Sequence, residues 1–262
     1  MNQLERRQWI VRELKINKKL EIDELSKRLN VSEMTIRRDL KYLENTGILN
    51  RVSKGAIFNN TNGYDIIDDT LKTRNLQNIE EKRIIAKYAS NLVNDGDVIF
   101  LDASTTVYEM CPYISTKNIT IITNSVRIAQ YFNSTKNVTL ILTGGILRYA
   151  TLSLIGSDCE EFLKKYNTNK VFISAKAISY INGLTDVNMF EINTKKIAIK
   201  NTNEVIALLD NTKINKVSLK KVCETKEISK LITDNNREYT SDEKNIIKQI
   251  KENGTDIIIL NS

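Results

Sequence analysis

Between Val31 and Leu43 the chain reads VSEMTIRRDLKYL. At about 100° per residue this sets Ile36, Leu40 and Leu43 along one helical edge and fans Met34, Arg37, Arg38 and Lys41 across the other, with Thr35 and Tyr42 at its margin. Ser32 suits the N-cap, because its hydroxyl accepts a bond from a first-turn amide, and Glu33 adds a charge that the helix dipole favours there. Asp39 falls nearer the apolar edge. Upstream, Ile22, Leu25 and Leu29 mark a shorter helix that joins Ser32 through Asn30-Val31, the spacing of a helix-turn-helix. Residues 4–16 form an earlier helix in this reading, with Leu4, Ile10, Val11 and Leu14 turned toward the apolar edges of the other two. Downstream, ILNRVSKGAIF, Ile48 to Phe58, alternates enough to give two short strands about Ser53-Lys54-Gly55.

After Phe58 the chain becomes small and polar, NNTNGY, which places a domain boundary there and leaves 59–77 as a linker or arm. From Asn78 to the end the rhythm is amphipathic helix, turn and short apolar strand, repeated. A helix over Ile79 to Val93 ends at Asn94-Asp95-Gly96-Asp97, and Val98–Leu101 is a buried strand. Further strands are predicted at Ile119–Ile122, Val138–Leu142, Val171–Ile173, Val205–Leu209, Leu231–Thr233 and Ile257–Leu260. Strands alternating with helices argue for an α/β domain with a mainly parallel sheet covered on both faces. The lone proline, Pro112, predicts that the helix after Thr106 stops or kinks near Cys111.

Charge sharpens the division. Residues 1–58 carry 13 Lys and Arg against 8 Asp and Glu, so +5 of the net +7 lies in the first fifth of the chain. That asymmetry suits a nucleic-acid module joined to a nearly neutral body. No apolar run approaches the roughly 20 residues of a membrane helix, and the N-terminus has no apolar signal core, so a cytoplasmic protein without membrane contact is expected. Cys111, Cys159 and Cys223 are odd in number and far apart, which predicts buried free thiols rather than disulfides or a thiolate metal site. The chain has no histidine, which removes Ser-His-Asp and Cys-His catalysis and imidazole-bound metals together. No catalytic residue, metal or cofactor is expected.

Two groups of residues carry candidate chemistry. On the basic edge, Met34, Thr35, Arg37, Arg38 and Lys41, with Ser32 at the helix start, would face a DNA groove, and Arg51 and Lys54 of the hairpin would hold the backbone. In the larger domain, ligands are expected beyond the carboxyl ends of the strands. There the chain places Asp102-Ala103-Ser104-Thr105-Thr106, Thr123-Asn124-Ser125 and Thr143-Gly144-Gly145, small and hydroxylated loops able to wrap a phosphate.

These residues resemble a known family. VSEMTIRRDLKYLENTGILNRVSKGAIF is similar to the winged helix-turn-helix of DeoR-type bacterial transcriptional regulators, with Ser53-Lys54-Gly55 in place of a usual His-Gly-Gly. FLDASTT resembles that family's FLDSGTT, Thr123-Asn124 and Gly144-Gly145 match its next loops, and Glu191 to Lys196 is similar to its EAxxKR. The resemblance implies a sensor domain related in fold to ribose-5-phosphate isomerase, with a phosphorylated sugar or sugar derivative as effector. It implies Asp102, Thr105, Thr106, Asn124, Gly144, Gly145 and Lys195 as pocket residues. Where the family has GADGI the chain has Ser174-Ala175-Lys176-Ala177-Ile178, so an acidic residue becomes Lys176, placed by the sequence at the pocket mouth. The resulting expectation is a repressor of a sugar-metabolism operon that binds a DNA operator as a homo-oligomer, dimer or tetramer. A constitutive DNA-binding regulator with a degenerate sensor, and an isomerase-like enzyme using Asp102 or Glu191, are the alternatives.

Overall fold

The computed structural model describes residues 2–17, 19–45, 49–58 and 71–261. The chain divides into two compact units, Met1–Asp68 and Asp69–Ser262.

The first unit runs α1 (Gln3–Asn17), β1 (Lys19–Glu21), α2 (Ile22–Leu29), α3 (Glu33–Asn45), β2 (Leu49–Val52) and β3 (Gly55–Phe58). Its core is the one the apolar pattern predicts: Ile10, Val11 and Leu14 of α1 pack with Ile22 and Leu25 of α2 and with Ile36, Leu40 and Leu43 of α3, all buried. The side chain of Leu4, and Ile48, lie outside the described residues. The hairpin β2–β3 forms as expected, but it belongs to a three-stranded antiparallel sheet in the order β1-β3-β2. β1 is three residues with one buried side chain, too short to leave a period in the sequence. Gly55 makes that third pairing possible: a Cβ there would lie 1.9 Å from the Leu20 carbonyl oxygen.

The second unit opens with α4 (Leu71–Leu76), α5 (Ile79–Ser90), β4 (Val98–Leu101), α6 (Thr105–Tyr108), α7 (Cys111–Ile114), β5 (Ile119–Thr123), α8 (Val126–Phe132) and β6 (Val138–Leu142). It continues with β7 (Ile146–Arg148), β8 (Ser153–Ile155), α9 (Ser157–Leu163), β9 (Thr168–Ile173), β10 (Ala177–Ser179), β11 (Gly183–Asp186) and α10 (Met189–Lys200). β12 (Thr202–Leu208), β13 (Lys220–Cys223), β14 (Lys230–Asp234), α11 (Ser241–Glu252) and β15 (Asp256–Leu260) complete it. The seven strands expected from apolar runs are the seven of one parallel sheet, in the order β15-β14-β12-β9-β4-β5-β6. Both faces are covered. Ile99, Leu101, Phe172 and Ile206 join one core with Ile85 and Ala89 of α5, while Phe100, Val171, Ile173 and Ala207 join another with Ile192 of α10. Double burial is why these strands read as unbroken apolar runs instead of alternating ones.

Two features differ from the sequence reading. Residues 71–76, assigned there to the linker or arm, form a helix of the second unit, with the Leu71 amide bonded to the Ala150 carbonyl at 3.1 Å. Two small antiparallel sheets, β7–β8 and β10–β11–β13, escape the pattern because their strands are only three or four residues long. The predicted break at Pro112 is present: α6 ends at Tyr108, and α7 starts at Cys111 with the proline in its first turn, where its missing N–H costs nothing.

The strand order reverses at β4. From it the chain steps outward to β5 and β6, then returns to β9 on the other side and on to β12, β14 and β15. In an open parallel sheet the loops part at such a point and leave a crevice beyond the strand ends.

Candidate nucleic-acid interface and ligand pocket

In the first unit, Asn30 holds the turn between α2 and α3 with φ 50° and ψ 50°, a left-handed conformation that Asn tolerates better than most residues. The Ser26 hydroxyl donates to the Val31 carbonyl at 2.6 Å and fixes the turn further. Ser32 then caps α3, accepting from the Thr35 amide at 3.2 Å, and its hydroxyl lies 3.0 Å from that of Thr35. With Ile36, Leu40 and Leu43 turned inward, Arg37, Arg38 and Lys41 are exposed and Met34 is 61% exposed. Asp39, an acid in the middle of this helix, has no exposed surface and binds Arg6 Nε at 2.6 Å and Arg7 Nε at 2.8 Å. Arg7 also lies over the ring of Tyr42, 3.7 Å from its centroid.

Arg37 meets Glu33 at 3.5 Å, an exposed pair weak enough to exchange for phosphate. The wing residues differ from each other. Lys54 is exposed at the turn, and its carbonyl accepts from the Ile22 amide at 2.9 Å. Arg51 donates from Nε to Glu44 at 2.6 Å and from its amide to the same carboxylate at 3.1 Å, and these bonds hold Glu44 below its usual range. A phosphate at Arg51 would share it with Glu44.

In the second unit a pocket enclosing about 270 Å³, open solvent included, lies beyond the ends of β4 and β5. Asp102, Ala103 and Ser104 line it from the loop after β4, Asn124 from the loop after β5, Glu191, Thr194 and Lys195 from α10, and Arg74 from α4. Asp102 accepts the amides of Ser104 at 3.0 Å and Ser174 at 3.1 Å. Lys195 Nζ donates to Asp186 at 2.5 Å and to the Ser174 carbonyl at 2.6 Å, with Asp102 at 3.6 Å. Burial pushes the Asp102 carboxyl up, and Lys195 offsets this only in part. Burial opposes ionisation of Asp186 as well, but there the Lys195 ammonium prevails and holds the carboxyl low.

Glu191 is also held below its usual range, the charges of Lys195, Arg148 and Arg74 outweighing its burial. One of its oxygens accepts from Arg148 at 3.0 Å, Thr151 at 2.6 Å and Ser153 at 2.9 Å, so the β7–β8 hairpin fixes that wall. Asn124 donates to the Leu154 carbonyl at 3.1 Å, but its buried Oδ1 has no hydrogen-bond partner among the described residues.

The geometry sorts the expected pocket residues. Asp102, Asn124 and Lys195 meet in the pocket. Thr105 and Thr106 are buried in the first turn of α6 and do not line it. Gly144 and Gly145 do not line it either; their φ values of 74° and 108° let the loop close on β8, where a Cβ on Gly145 would stand 2.6 Å from the Ile155 carbonyl oxygen. Lys176 is half-buried with its amide bonded to the Thr185 carbonyl at 3.2 Å, and it does not line the pocket. The sequence reading missed Arg74, which stands in a polar segment with no motif, and Asp186, whose only signal was its place just after Gly183-Leu184-Thr185.

Cys111, Cys159 and Cys223 are free and buried, and burial raises Cys111 and Cys223 to about 12. Among the described residues no helix is long and apolar enough to cross a membrane.

The family description "DeoR C terminal sensor domain" matches residues 77–235, and "DeoR-like helix-turn-helix domain" matches residues 6–62. The chain belongs to the DeoR family of transcriptional regulators. DeoR membership makes it a DNA-binding regulator and not an enzyme, which removes the isomerase alternative. It is 34% identical to the lactose phosphotransferase system repressor of Staphylococcus aureus, over 87% of this chain and 90% of that one. It is 35% identical to the regulator GolR of Listeria innocua, over 88% and 90%. Among solved structures it is similar to ribose 5-phosphate isomerase A from Methanocaldococcus jannaschii, at TM-score 0.40 and 20% identity over 55% of this chain and 56% of that one. It is also similar to the sorbitol operon regulator SorC from Klebsiella pneumoniae, at TM-score 0.41 and 10% identity over 92% and 91%.

Proposed function

We propose that this DeoR-family regulator represses a sugar-metabolism operon and that a phosphorylated sugar in the β4–β5 pocket controls its hold on DNA. The observation that carries the effector half is Asn124 Oδ1, a buried acceptor without a partner in the wall of the pocket. Buried polar atoms are nearly always paired, so such an acceptor favours a ligand that supplies a hydroxyl donor. Asp102 offers a second acceptor, and Arg74 and Lys195 give the pocket two cations suited to an anionic group. The name of the Staphylococcus aureus relative, a repressor of a sugar system, supports the same reading. Lys176, which motivated the degenerate-sensor alternative, does not line this pocket, and this favours the sensor reading.

On the DNA side, Arg37, Arg38 and Lys41 of α3 enter the major groove with Met34 and Thr35, while Ser32, Lys54 and Arg51 serve the backbone. One reading helix covers too few base pairs for an operator, so the active form is at least a dimer on repeated half-sites.

The deciding experiment is thermal unfolding of the whole protein with glucose 6-phosphate, fructose 6-phosphate, fructose 1,6-bisphosphate and ribose 5-phosphate. A ligand at 100 times its Kd stabilises the folded state by about 2.7 kcal/mol. A shift selective for one sugar phosphate, absent in Asn124→Ala, supports the reading. Indifference to every sugar phosphate rejects it.

A further inference from the structure

We propose that Arg74 grips the anionic group of the effector, and that through it pocket occupancy reaches the segment leading to the DNA-binding unit. This rests on the effector reading above and deepens it.

Three observations converge on Arg74. First, the other cations at the site are committed: Lys195 to Asp186 and the Ser174 carbonyl, Arg148 to Glu191 and Thr151. The Arg74 guanidinium lines the pocket in the field of the Asp186 and Glu191 carboxylates, yet it makes no hydrogen bond or ion pair among the described residues. An incoming phosphate therefore finds its fork of donors unspent, in the geometry that binds phosphate oxygens two at a time. Second, the unpartnered Asn124 Oδ1 lines the same pocket from the β5 loop. A ligand with an anionic end and a hydroxyl satisfies both groups at once.

Third, α4 is fastened without the Arg74 side chain. The Leu71 amide donates to the Ala150 carbonyl at 3.1 Å, Arg127 donates to Asn75 Oδ1 at 3.1 Å, and Lys82 Nζ donates to the carbonyls of Arg74 at 2.5 Å and Gln77 at 2.6 Å. The helix is thus placed by its backbone and its neighbours, and the guanidinium is left for a ligand.

Place in the chain gives Arg74 its second role. Residues 59–70 separate Phe58 of β3 from Leu71, so α4 is where the chain enters the sensor unit from the DNA-binding unit. Of the elements lining the pocket it comes first in sequence. A ligand held by Arg74 biases the position of α4, and it shifts DNA affinity only to the extent that it binds the two operator-affinity states differently.

The test uses full-length wild type, Arg74→Ala and Arg74→Lys with the same four sugar phosphates, read by thermal shift, by hydrogen exchange of amides 71–77, and by the change in operator affinity on adding the sugar. The unliganded unfolding temperature checks that each variant is folded. The expected result is a wild-type shift with at least one sugar phosphate, protection of amides 71–77, a Kd weakened at least tenfold in Arg74→Ala and a smaller loss in Arg74→Lys. At saturating sugar, operator affinity in Arg74→Ala should no longer respond. An Arg74→Ala variant that binds the sugar like wild type overturns the grip, with the effector reading intact. One that binds weakly but still changes operator affinity fully at saturation overturns the relay. A wild type indifferent to all four sugar phosphates overturns the effector reading, and this inference with it.

Discussion

Asp39 Oδ2 lies 2.6 Å from Arg6 Nε, and the carboxylate has no exposed surface. The acid therefore stands on the DNA-reading helix without appearing on its DNA-reading face: α1 supplies Arg6 and Arg7 to neutralise it from behind. The basic character of α3 follows from this burial as much as from its own arginines.

Removing one side of such a pair leaves buried charge uncompensated, typically at 3–5 kcal/mol. Asp39→Ala should destabilise the first unit by about that amount. Trp9, the single tryptophan, sits in α1 and reports on that unit alone, so its fluorescence transition should move to lower temperature while the second unit's does not. An unchanged Trp9 transition would show that the pair contributes nothing.

Gly55→Ala tests the third strand of the wing. Its Cβ would meet the Leu20 carbonyl at 1.9 Å and the Glu21 Cα at 3.0 Å, both backbone atoms that cannot turn aside. A loss of about 3 kcal/mol is expected, the upper part of the usual range for overpacking. It should appear in the same Trp9 transition, with β1 amides losing protection from exchange. Retained protection at Lys19 to Glu21 would mean that β1 does not depend on this close approach.

The large sheet was legible in the sequence because strands buried on both faces must be apolar at every position, and Val98–Leu101 can be read off directly. The helix-turn-helix was legible because the apolar edges of α2 and α3 repeat at helical spacing. What escaped was set by tertiary contact. β1 exists because Gly55 admits it, and α4, LKTRNL, has no apolar edge to announce it. At the pocket, Asp102 and Asn124 stand directly after β4 and β5, where a ligand loop is looked for, whereas Lys195 lies inside α10 and was marked only by the family resemblance of Glu191 to Lys196. Thr105 and Thr106 stood in the same kind of loop yet turned into the first turn of α6, a rotation that residue type does not encode. Arg74 acquires its position only when a helix some thirty residues before the β4 loop folds beside it.

Arg37→Ala with Arg38→Ala should abolish specific operator binding while both units stay folded, because both side chains are exposed and neither supports the core. If the two arginines bind phosphates, the residual affinity should also lose salt dependence, the slope of log K against log salt falling by roughly 0.9 for each contact removed. If they read guanines instead, each should cost about 1–3 kcal/mol at a particular base pair and leave nonspecific binding less affected. Unchanged operator affinity in the double variant would remove α3 from the interface.

Lys82 gives the second unit a stability that varies with pH in a direction unusual for a lysine with bonding partners. Burial lowers it from its ordinary 10.5 to about 8; Asp210 and Glu109 oppose that shift, and Lys213 and Arg74 reinforce it. Between those two values the unfolded chain binds the proton and the folded one does not, so the folded state gains stability as pH rises through the window and loses it again as pH falls through about 8. The hydrogen bonds survive the change, since a neutral amine keeps two N–H groups and Lys82 serves two carbonyls, those of Arg74 and Gln77. Comparison with Lys82→Met isolates the effect. From pH 7 to 10.5 the stability of wild type relative to the variant should rise by on the order of 3 kcal/mol, at about 1.4 kcal/mol for each pH unit separating the folded and unfolded values. A difference that stays flat over this range would show that the buried ammonium is solvated well enough to keep its ordinary value, and that α4 is anchored by a full charge at every pH the protein meets.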